Sequence, residues 1–356
     1  MLDRRNYSLL GEEGRKAVEK GLAAADWYHT KVSRNEMKEL MGRTDRYALR
    51  DTAIWIAALL LSAGAGIYLW PSWFSVPFWL AYGVLYGSSS DSRWHECGHG
   101  TAFKTPWMND VVHQIACFMI MRNPTVWRWS HSRHHTDTII VGRDPEIAVM
   151  RPPDAARILL NLFGIMDAIE AFRRMFIHVT GRLHPEEETY VPASEHHKVV
   201  FTARIWFAIY AATVATAVWM GSILPLMVIG LPRFYGAWHH IMTGVLQHAA
   251  LADDVIDHRL NSRTFHLNPI SRFIYWNMNY HVEHHMFPMV PYHALPRLHE
   301  LIKHDLPSAD GSVWSAYRTV LPVLLRQLRG DNVFLVRKLP DTARPYRAEL
   351  HDAVGA

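Results

Sequence analysis

The chain contains 356 residues, 49% of them hydrophobic and 12% aromatic, and its formal net charge is +4. Its only cysteines are Cys97 and Cys117, which excludes a disulfide scaffold and a cysteine-ligated zinc-finger or iron–sulfur site, so we expect a reducing compartment. The basic residues form no stripe with interleaved aromatic residues, so we expect no nucleic-acid partner. Positive-inside topology and contact with an anionic lipid leaflet explain the excess of positive charge.

Residues 1–50 contain 11 Lys and Arg and 8 Asp and Glu. This charge density argues against a cleaved signal peptide and predicts an amphipathic helical segment, which packs on the rest of the protein or lies at the membrane surface. The mean hydropathy of the whole chain, −0.06, fits a membrane anchor that carries a large cytosolic part.

Three long stretches carry no charged residue: 52–70, 73–90 and 205–232. A helix needs about 20 apolar residues to cross a hydrocarbon core about 30 Å thick, so the first two stretches predict a hairpin of spanning helices. The third stretch, continued to His248, predicts a second hairpin. Because neither turn carries a charge, we place both termini and the segment between the hairpins in the cytosol.

Eight of the 23 histidines lie in three short segments. The first is a His-x-x-x-His pair, and the other two repeat the spacing His-x-x-His-His. Since helical residues three and four apart share a face, each segment is predicted to direct its imidazoles to one point, as metal ligands. The segments contain His95 and His99; His131, His134 and His135; and His281, His284 and His285. His248 is a further candidate, because an ionisable group in a spanning helix is usually functional.

Two carboxylates lie within or beside these segments. Asp137 follows the second segment and Glu283 lies inside the third, so each is a candidate to accept the other N–H of a ligand imidazole. For Asp137 the alternatives are that it caps a helix or pairs with Arg133.

The two predicted hairpins return all three histidine segments to one cytosolic face, which favours a single polynuclear site. Eight or nine imidazole nitrogens exceed what one four- to six-coordinate metal accepts, so two metal ions are implied. Imidazole ligands suit iron, zinc, copper or nickel, and the residues by themselves leave this choice open.

The motifs His95-Glu-Cys-Gly-His99-Gly, His131-Ser-Arg-His134-His135 and His281-Val-Glu-His284-His285 resemble, in order and spacing, the three histidine boxes of the membrane fatty-acid desaturase and hydroxylase superfamily. Gln247-His248 is similar to the superfamily's additional ligand histidine on the fourth spanning helix. The resemblance implies an all-α integral membrane protein, with four transmembrane helices in two hairpins and a cytosolic helical cap that carries the di-metal site.

The same resemblance implies a chemistry. It predicts two iron ions, with O₂ as co-substrate, that remove hydrogen from an unactivated C–H bond. The implied iron ligands are His95, His99, His131, His134, His135, His248, His281, His284 and His285. Some members of the superfamily use an asparagine, through water, one turn before the extra histidine. Gly244 occupies that position here, which leaves the completion of the second iron's coordination open.

The source of electrons is predicted from motifs that do not occur. The chain has no Gly-x-Gly-x-x-Gly dinucleotide motif, no haem-binding His-Pro-Gly segment and no cysteine cluster. Electrons are therefore expected from a separate carrier of the ferredoxin or cytochrome b5 type, with its reductase.

The resemblance favours a fatty acyl lipid as substrate and leaves desaturation and hydroxylation open. However, the run from His134 to Glu146 also resembles a bacterial subset that includes enzymes of rhizobitoxine and rhizopine metabolism, whose substrates are small and polar. In that interpretation Arg143, Asp144 or Glu146 meets a charged head group, and the alternative is an ordinary salt bridge of Arg143. Aromatic residues that could line an acyl tunnel, or anchor the protein at the interface, are Trp127, Trp129, Phe234, Tyr235, Trp238, Trp276 and Phe287.

Functions of two other classes fit parts of the pattern. A membrane zinc hydrolase also uses histidines, but such sites usually contain more carboxylate. A metal-handling or structural membrane protein would place its histidines inside the membrane. We therefore predict an O₂-dependent oxidoreductase of the inner membrane, with an N-terminal segment (1–50), a membrane catalytic domain (51–300) and a cytosolic C-terminal region (301–356).

Overall fold

The computed structural model describes residues 5–351, so residues 1–4 of the predicted N-terminal segment and 352–356 of the predicted C-terminal region lie outside it. Within this range the regular elements are helices, joined by loops with two isolated backbone bridges. The first nine α-helices are α1 (Glu13–Glu19), α2 (Arg34–Leu40), α3 (Asp45–Tyr68), α4 (Val76–Gly87), α5 (Ser89–Gly98), α6 (Pro106–Met119), α7 (Pro124–Thr136), α8 (Ala155–Asn161) and α9 (Ile165–Val179). The next nine are α10 (His196–Met220), α11 (Leu224–Val228), α12 (Pro232–Gly236), α13 (Trp238–His248), α14 (His258–Asn261), α15 (Pro269–Ile274), α16 (His281–Met286), α17 (Leu295–Ile302) and α18 (Val313–Leu328).

Two helical stretches, Arg34–Tyr68 and Ala193–Met220, are long and apolar enough to cross a membrane by length and composition. Their outer surfaces expose large apolar side chains, including Leu61 (74% exposed) and Trp219 (85% exposed). Contiguous exposed apolar surface of this kind marks contact with lipid or with another protein. The all-helical class is therefore confirmed, together with two of the predicted apolar helices.

The second and fourth predicted spans are broken helices. The second is divided into α4 and α5 at Ser88, and the fourth is divided into α11, α12 and α13. Proline opens two of these pieces, at Pro225 and Pro232, and Gly230 has a positive φ of 95° just before α12. Proline lacks the N–H that continues a helix and glycine tolerates positive φ, so the sequence itself divides this span.

The junction between α4 and α5 also fixes the position of α13. The Ser88 hydroxyl donates a hydrogen bond to the Gly236 carbonyl oxygen (2.5 Å) and accepts one from the His240 N–H (3.1 Å). Helix α5 carries His95 and is followed directly by His99, and α13 ends at His248. One serine thus holds together two helices that deliver histidines.

A second tie holds α5 against the C-terminal part of the chain. The buried Arg93 guanidinium donates to the Ile274 carbonyl oxygen (2.7 Å) and lies over the Trp276 ring, 4.7 Å from its centre. Arg93 precedes His95 by two residues, so this contact sets the position of the first histidine pair relative to the segment that leads into α16.

Close packing of α4 on α12 depends on two glycines. A Cβ atom added to Gly236 would overlap the Gly83 carbonyl group, and one added to Gly83 would overlap the Tyr235 ring. The two backbones are in direct contact there, which only glycine permits.

We expect Gly236→Ala to separate α4 from α12 and to lower the free energy of unfolding by about 1–3 kcal/mol, the usual cost of overpacking. Thermal unfolding of the detergent-purified protein measures the effect. Gly64→Ala is the control, because Gly64 lies inside α3 and a Cβ there meets no atom within 4 Å. That variant should be unchanged or more stable, by up to about 1 kcal/mol. Equal unfolding temperatures for the two variants would contradict this account of the contact.

Candidate metal centre

Nine histidine side chains converge in two groups. Within each group, one ring nitrogen from every histidine lies within 4.8 Å of the others. The first group contains His95, His99, His131, His135 and His284, and the second contains His134, His248, His281 and His285. These are the nine histidines that the sequence singled out.

Each His-x-x-His-His segment supplies both groups. On α7, His131 and His135 enter the first group and His134 enters the second. On α16 the assignment is reversed, since His284 enters the first group, whereas His281 and His285 enter the second. The prediction that a segment directs all its imidazoles to one point is therefore wrong. At about 100° per residue, position i+4 lies about 40° to one side of position i, whereas position i+3 lies about 60° to the other side.

The spacing of the ring nitrogens fits a metal ion in each group. Facing Nε2 atoms lie about as far apart as two ligands at right angles on one metal, which is about 3 Å for a metal–nitrogen distance of about 2.1 Å. The Nε2–Nε2 distances are 3.1 Å for His99–His131, His131–His135 and His135–His284, 2.9 Å for His248–His281 and 3.0 Å for His281–His285. Both ring nitrogens of the buried His95 lack a hydrogen-bond partner among the described residues. A buried polar atom without a partner is costly, and a bound cation would satisfy it.

Burial favours the neutral imidazole, which is the form that binds metals. It lowers the pKa of most of these histidines well below the ordinary value, as for His131, His135, His281, His284 and His285. His134 differs. Burial lowers its pKa, but the charge and hydrogen bond of the adjacent Asp144 carboxylate together outweigh burial, so the pKa of His134 lies above the ordinary value.

Hydrogen bonds to Nδ1 orient several of the rings. Glu146 contacts His131 Nδ1 at 2.9 Å and Asp144 contacts His134 Nδ1 at 2.8 Å. His248 Nδ1 donates to the backbone carbonyl oxygen of Asn261 on α14, at 2.8 Å. Such contacts fix the tautomer that leaves Nε2 free for a metal. Burial also raises the pKa of the Glu146 carboxyl to about 7.

A sequence model of the fatty acid desaturase family matches residues 71–317, more than half of the chain. The chain belongs to the fatty acid desaturase family. The predicted resemblance is thereby confirmed.

Curated members of the family are similar along most of this chain. The sn-2 acyl-lipid omega-3 desaturase (ferredoxin) of Arabidopsis thaliana chloroplasts is 26% identical over 277 residues, which cover 72% of this chain and 60% of the relative. The acyl-lipid omega-3 desaturase (cytochrome b5) of the endoplasmic reticulum of the same plant is 26% identical over 297 residues, 76% of this chain and 75% of the relative. An omega-6 fatty acid desaturase of Glycine max is also 26% identical, over 72% of this chain.

The two predicted carboxylates of this desaturase-family chain contact other groups than the converging histidines. Asp137 pairs with Arg143 (3.0 Å) and Arg133 (3.6 Å), so the prediction that it orients a ligand imidazole is wrong and the alternative of an arginine pair holds. Glu283 contacts His299 and accepts from the Thr264 hydroxyl (2.5 Å), which ties α16 to its neighbours.

Sequence reasoning missed the contacts of Asp144 and Glu146 with the converging histidines. Both were considered as contacts for a substrate head group, yet they contact the histidines of α7. The signal was their position in the loop directly after α7, within reach of the rings that the helix presents. Arg143 pairs with Asp137, so the head-group interpretation of this run finds no support in its contacts.

A cavity of about 270 Å³ adjoins both histidine groups. His95 and His131 of the first group and His134 and His248 of the second lie in its wall. Its remaining lining mixes polar and apolar side chains, including Asp91, Trp94, Arg122, Trp127, Ile147, Arg157, Val245 and Met278. A second cavity of about 620 Å³ shares Arg122, Trp127 and Arg157 with the first. Of the seven aromatic residues considered for a tunnel, Trp127 lines these two cavities.

Gly244 leaves space in the wall of the smaller cavity. A Cβ added there would meet only the Tyr275 hydroxyl (3.9 Å) and the Gln247 side-chain oxygen (4.0 Å). These are ordinary van der Waals distances. The position that some superfamily members fill with asparagine is thus open here, beside the four-histidine group.

We expect Glu146→Gln to weaken metal binding about tenfold to a hundredfold, because an amide replaces the carboxyl group that orients the His131 ring. The measurement is metal retained after competition with a chelator. Asp137→Asn is the matched control, since Asp137 contacts arginines and none of the nine histidines. Equal retention in both variants would show that the Glu146 contact does not support the metal.

Proposed function

We propose that this desaturase-family chain holds two iron ions in the two histidine groups and catalyses O₂-dependent desaturation, or hydroxylation, of a fatty acyl substrate. The observation that carries the proposal is the convergence of nine buried or half-buried imidazoles in groups of five and four, without a carboxylate in either group. All-nitrogen donor sets suit iron, and the family membership favours iron over zinc, copper or nickel. The proposed ligands are the nine histidines named above.

The protein's own residues prepare the site for this chemistry. When bound, the iron ions supply the power to oxidise an unactivated C–H bond with O₂. Glu146 and Asp144 keep the rings of His131 and His134 in the tautomer that presents Nε2 inward. The adjoining cavity would hold the reacting carbon beside the histidines and exclude bulk water, and Gly244 leaves room for a small ligand at its wall.

The proposed arrangement in the membrane has four spanning segments in two hairpins, below a cytosolic helical cap that carries the iron site. The two long apolar helices support the first segment of each hairpin. The broken segments α4–α5 and α11–α13 would be the second and fourth. In this arrangement both termini are cytosolic, residues 51–300 form the catalytic domain in the inner membrane, and residues 1–50 and 301–356 flank it.

Electrons would come from a separate one-electron carrier with its reductase. Two of the similar plant enzymes carry ferredoxin and cytochrome b5 in their names, which supports this class of donor. Each turnover that forms a double bond consumes two carrier electrons, two protons and one O₂, takes two hydrogens from the substrate and yields two waters.

A small polar metabolite is the second candidate substrate. The observation that favours it is the polar part of the cavity wall, where Arg122 pairs with Asp91 (3.0 Å) and lies over the Trp127 ring. An acyl substrate remains favoured by the names of the similar enzymes, which are acyl-lipid and fatty acid desaturases.

Protein purified from iron-replete cells is expected to contain two irons per chain, and to consume O₂ only when substrate and a reduced carrier are both present. Metal analysis and an oxygen electrode measure this. Zinc as the native occupant, with turnover that ignores O₂, would instead support a hydrolase.

His248→Ala is expected to lose iron and to reduce turnover by more than tenfold, because it removes a proposed ligand from the four-histidine group. A tenfold loss corresponds to about 1.4 kcal/mol in the barrier. His239→Ala and His197→Ala are controls on histidines outside both groups. Full iron content and turnover in His248→Ala would exclude it from the ligand set.

Expression in a host with a working electron donor, followed by lipid profiling, tests the substrate. A changed fatty-acid profile is the expected result, and the product identifies desaturation or hydroxylation. An unchanged profile together with a new small polar product would replace the acyl substrate by the second candidate.

A further inference from the structure

We propose that Trp27 and His258 form the route by which electrons from a carrier protein reach the histidine groups. The proposal rests on the iron site and external donor proposed above. It assigns a function to two aromatic residues outside the nine-histidine set, one in the N-terminal segment and one at the start of α14.

A series of neighbouring rings, one pair stacked and the next pair tilted by 36°, leads from the surface to the second group. The half-buried Trp27 stacks on the buried His258, with ring centres 4.3 Å apart and ring planes 9° from parallel. His258 in turn lies against His285, at 5.1 Å between ring centres. Electron tunnelling through protein falls steeply with gaps between atoms, so rings in contact provide a favourable path.

Trp27 also reaches the backbone beside the first group. Its indole N–H donates to the Thr136 carbonyl oxygen at 3.0 Å. Thr136 directly follows His135, which belongs to the first group. One indole therefore contacts the surroundings of both groups.

The route approaches the histidines from a different side than the cavities. Neither Trp27 nor His258 lines either of the two cavities beside the histidines. Trp94 offers another ring contact to the histidines, at 5.3 Å from His131, but it is buried and lines the smaller cavity. A carrier docked over Trp27 would not block the cavity proposed for the substrate. A path through Trp94 would instead run along the wall of that cavity.

The main chain around Trp27 is held independently of the indole. The Tyr28 N–H donates to the Ile256 carbonyl oxygen (3.2 Å), and the Tyr28 hydroxyl donates to Asp305 (2.6 Å). The Arg259 guanidinium covers the Tyr28 ring, 3.5 Å from its centre. Replacing the Trp27 side chain should therefore leave this segment in position.

The electron balance of the route is simple. A reduced iron–sulfur or haem carrier loses one electron to the iron centre and is itself oxidised. The indole and imidazole rings stay unreduced and serve only as the medium between donor and acceptor. Two such transfers supply the two electrons of one turnover.

The test is anaerobic stopped-flow reduction of the iron-loaded, full-length protein. A plant-type ferredoxin and a cytochrome b5, each reduced beforehand, are the probes, and their oxidation is followed by absorbance. Trp27→Ala and His258→Leu should slow the transfer about tenfold or more. Trp27→Phe, which retains a ring over His258, should stay closer to wild type. Trp129→Ala is the matched control, because Trp129 is a surface tryptophan of α7 outside the stack.

Reduction by dithionite with a small mediator separates a route from a structural role. Iron content and dithionite reduction should be unchanged in Trp27→Ala. If Trp27→Ala is reduced more slowly by both the carriers and dithionite, or at the wild-type rate by both, the route is overturned. If neither carrier reduces the iron-loaded wild-type protein, the external donor of the proposed function fails and the route fails with it. A wild type that the carriers reduce, with an unaffected Trp27→Ala variant, overturns the route alone.

Discussion

Nine imidazoles crowded into a largely buried space cannot satisfy one another's hydrogen-bonding needs. A neutral imidazole has one donor and one acceptor, and a set of Nε2 atoms that face each other at about 3 Å cannot all find complementary partners. A cation bound in each group would resolve this conflict, because the Nε2 lone pairs of that group could then point at one positive charge. The surrounding structure serves this requirement, since Glu146, Asp144 and Asn261 engage Nδ1 and leave Nε2 free.

The helices that deliver these rings are held by contacts that leave little freedom. Direct backbone contact at Gly83 and Gly236 brings α4 to α12, and Ser88 joins the next helices, α5 and α13. Arg93 fixes α5 to the segment before α16. Glu283, although it touches none of the nine rings, secures α16 through His299 and Thr264. The precision of the histidine groups thus originates in neighbours that have no part in the chemistry.

The sequence was sufficient to predict all nine converging histidines, because their helical spacing and their position after apolar stretches are local properties. It predicted the all-helical class and two of the apolar helices for the same reason. The division of the two His-x-x-His-His segments between the groups was missed, since it depends on how α7 and α16 face each other. The contacts of Asp144 and Glu146 with the histidines of α7 were not predicted, and the two alternatives for Asp137 stayed open, because the course of the loop after α7 decides them. Pro225, Gly230 and Pro232 mark the breaks in the fourth span, but the prediction of a spanning helix gave more weight to the length of the apolar stretch.

The sharing of α7 and α16 between both groups constrains how this protein can change. One residue inserted between His131 and His134 would turn the rest of α7 by about 100° and remove donors from both groups together. A shift of α7 or α16 therefore disturbs both groups together, so the two groups form one structural unit. Substitutions in the cavity wall around Gly244 and on the outer helical surfaces, by contrast, leave the register of both helices unchanged.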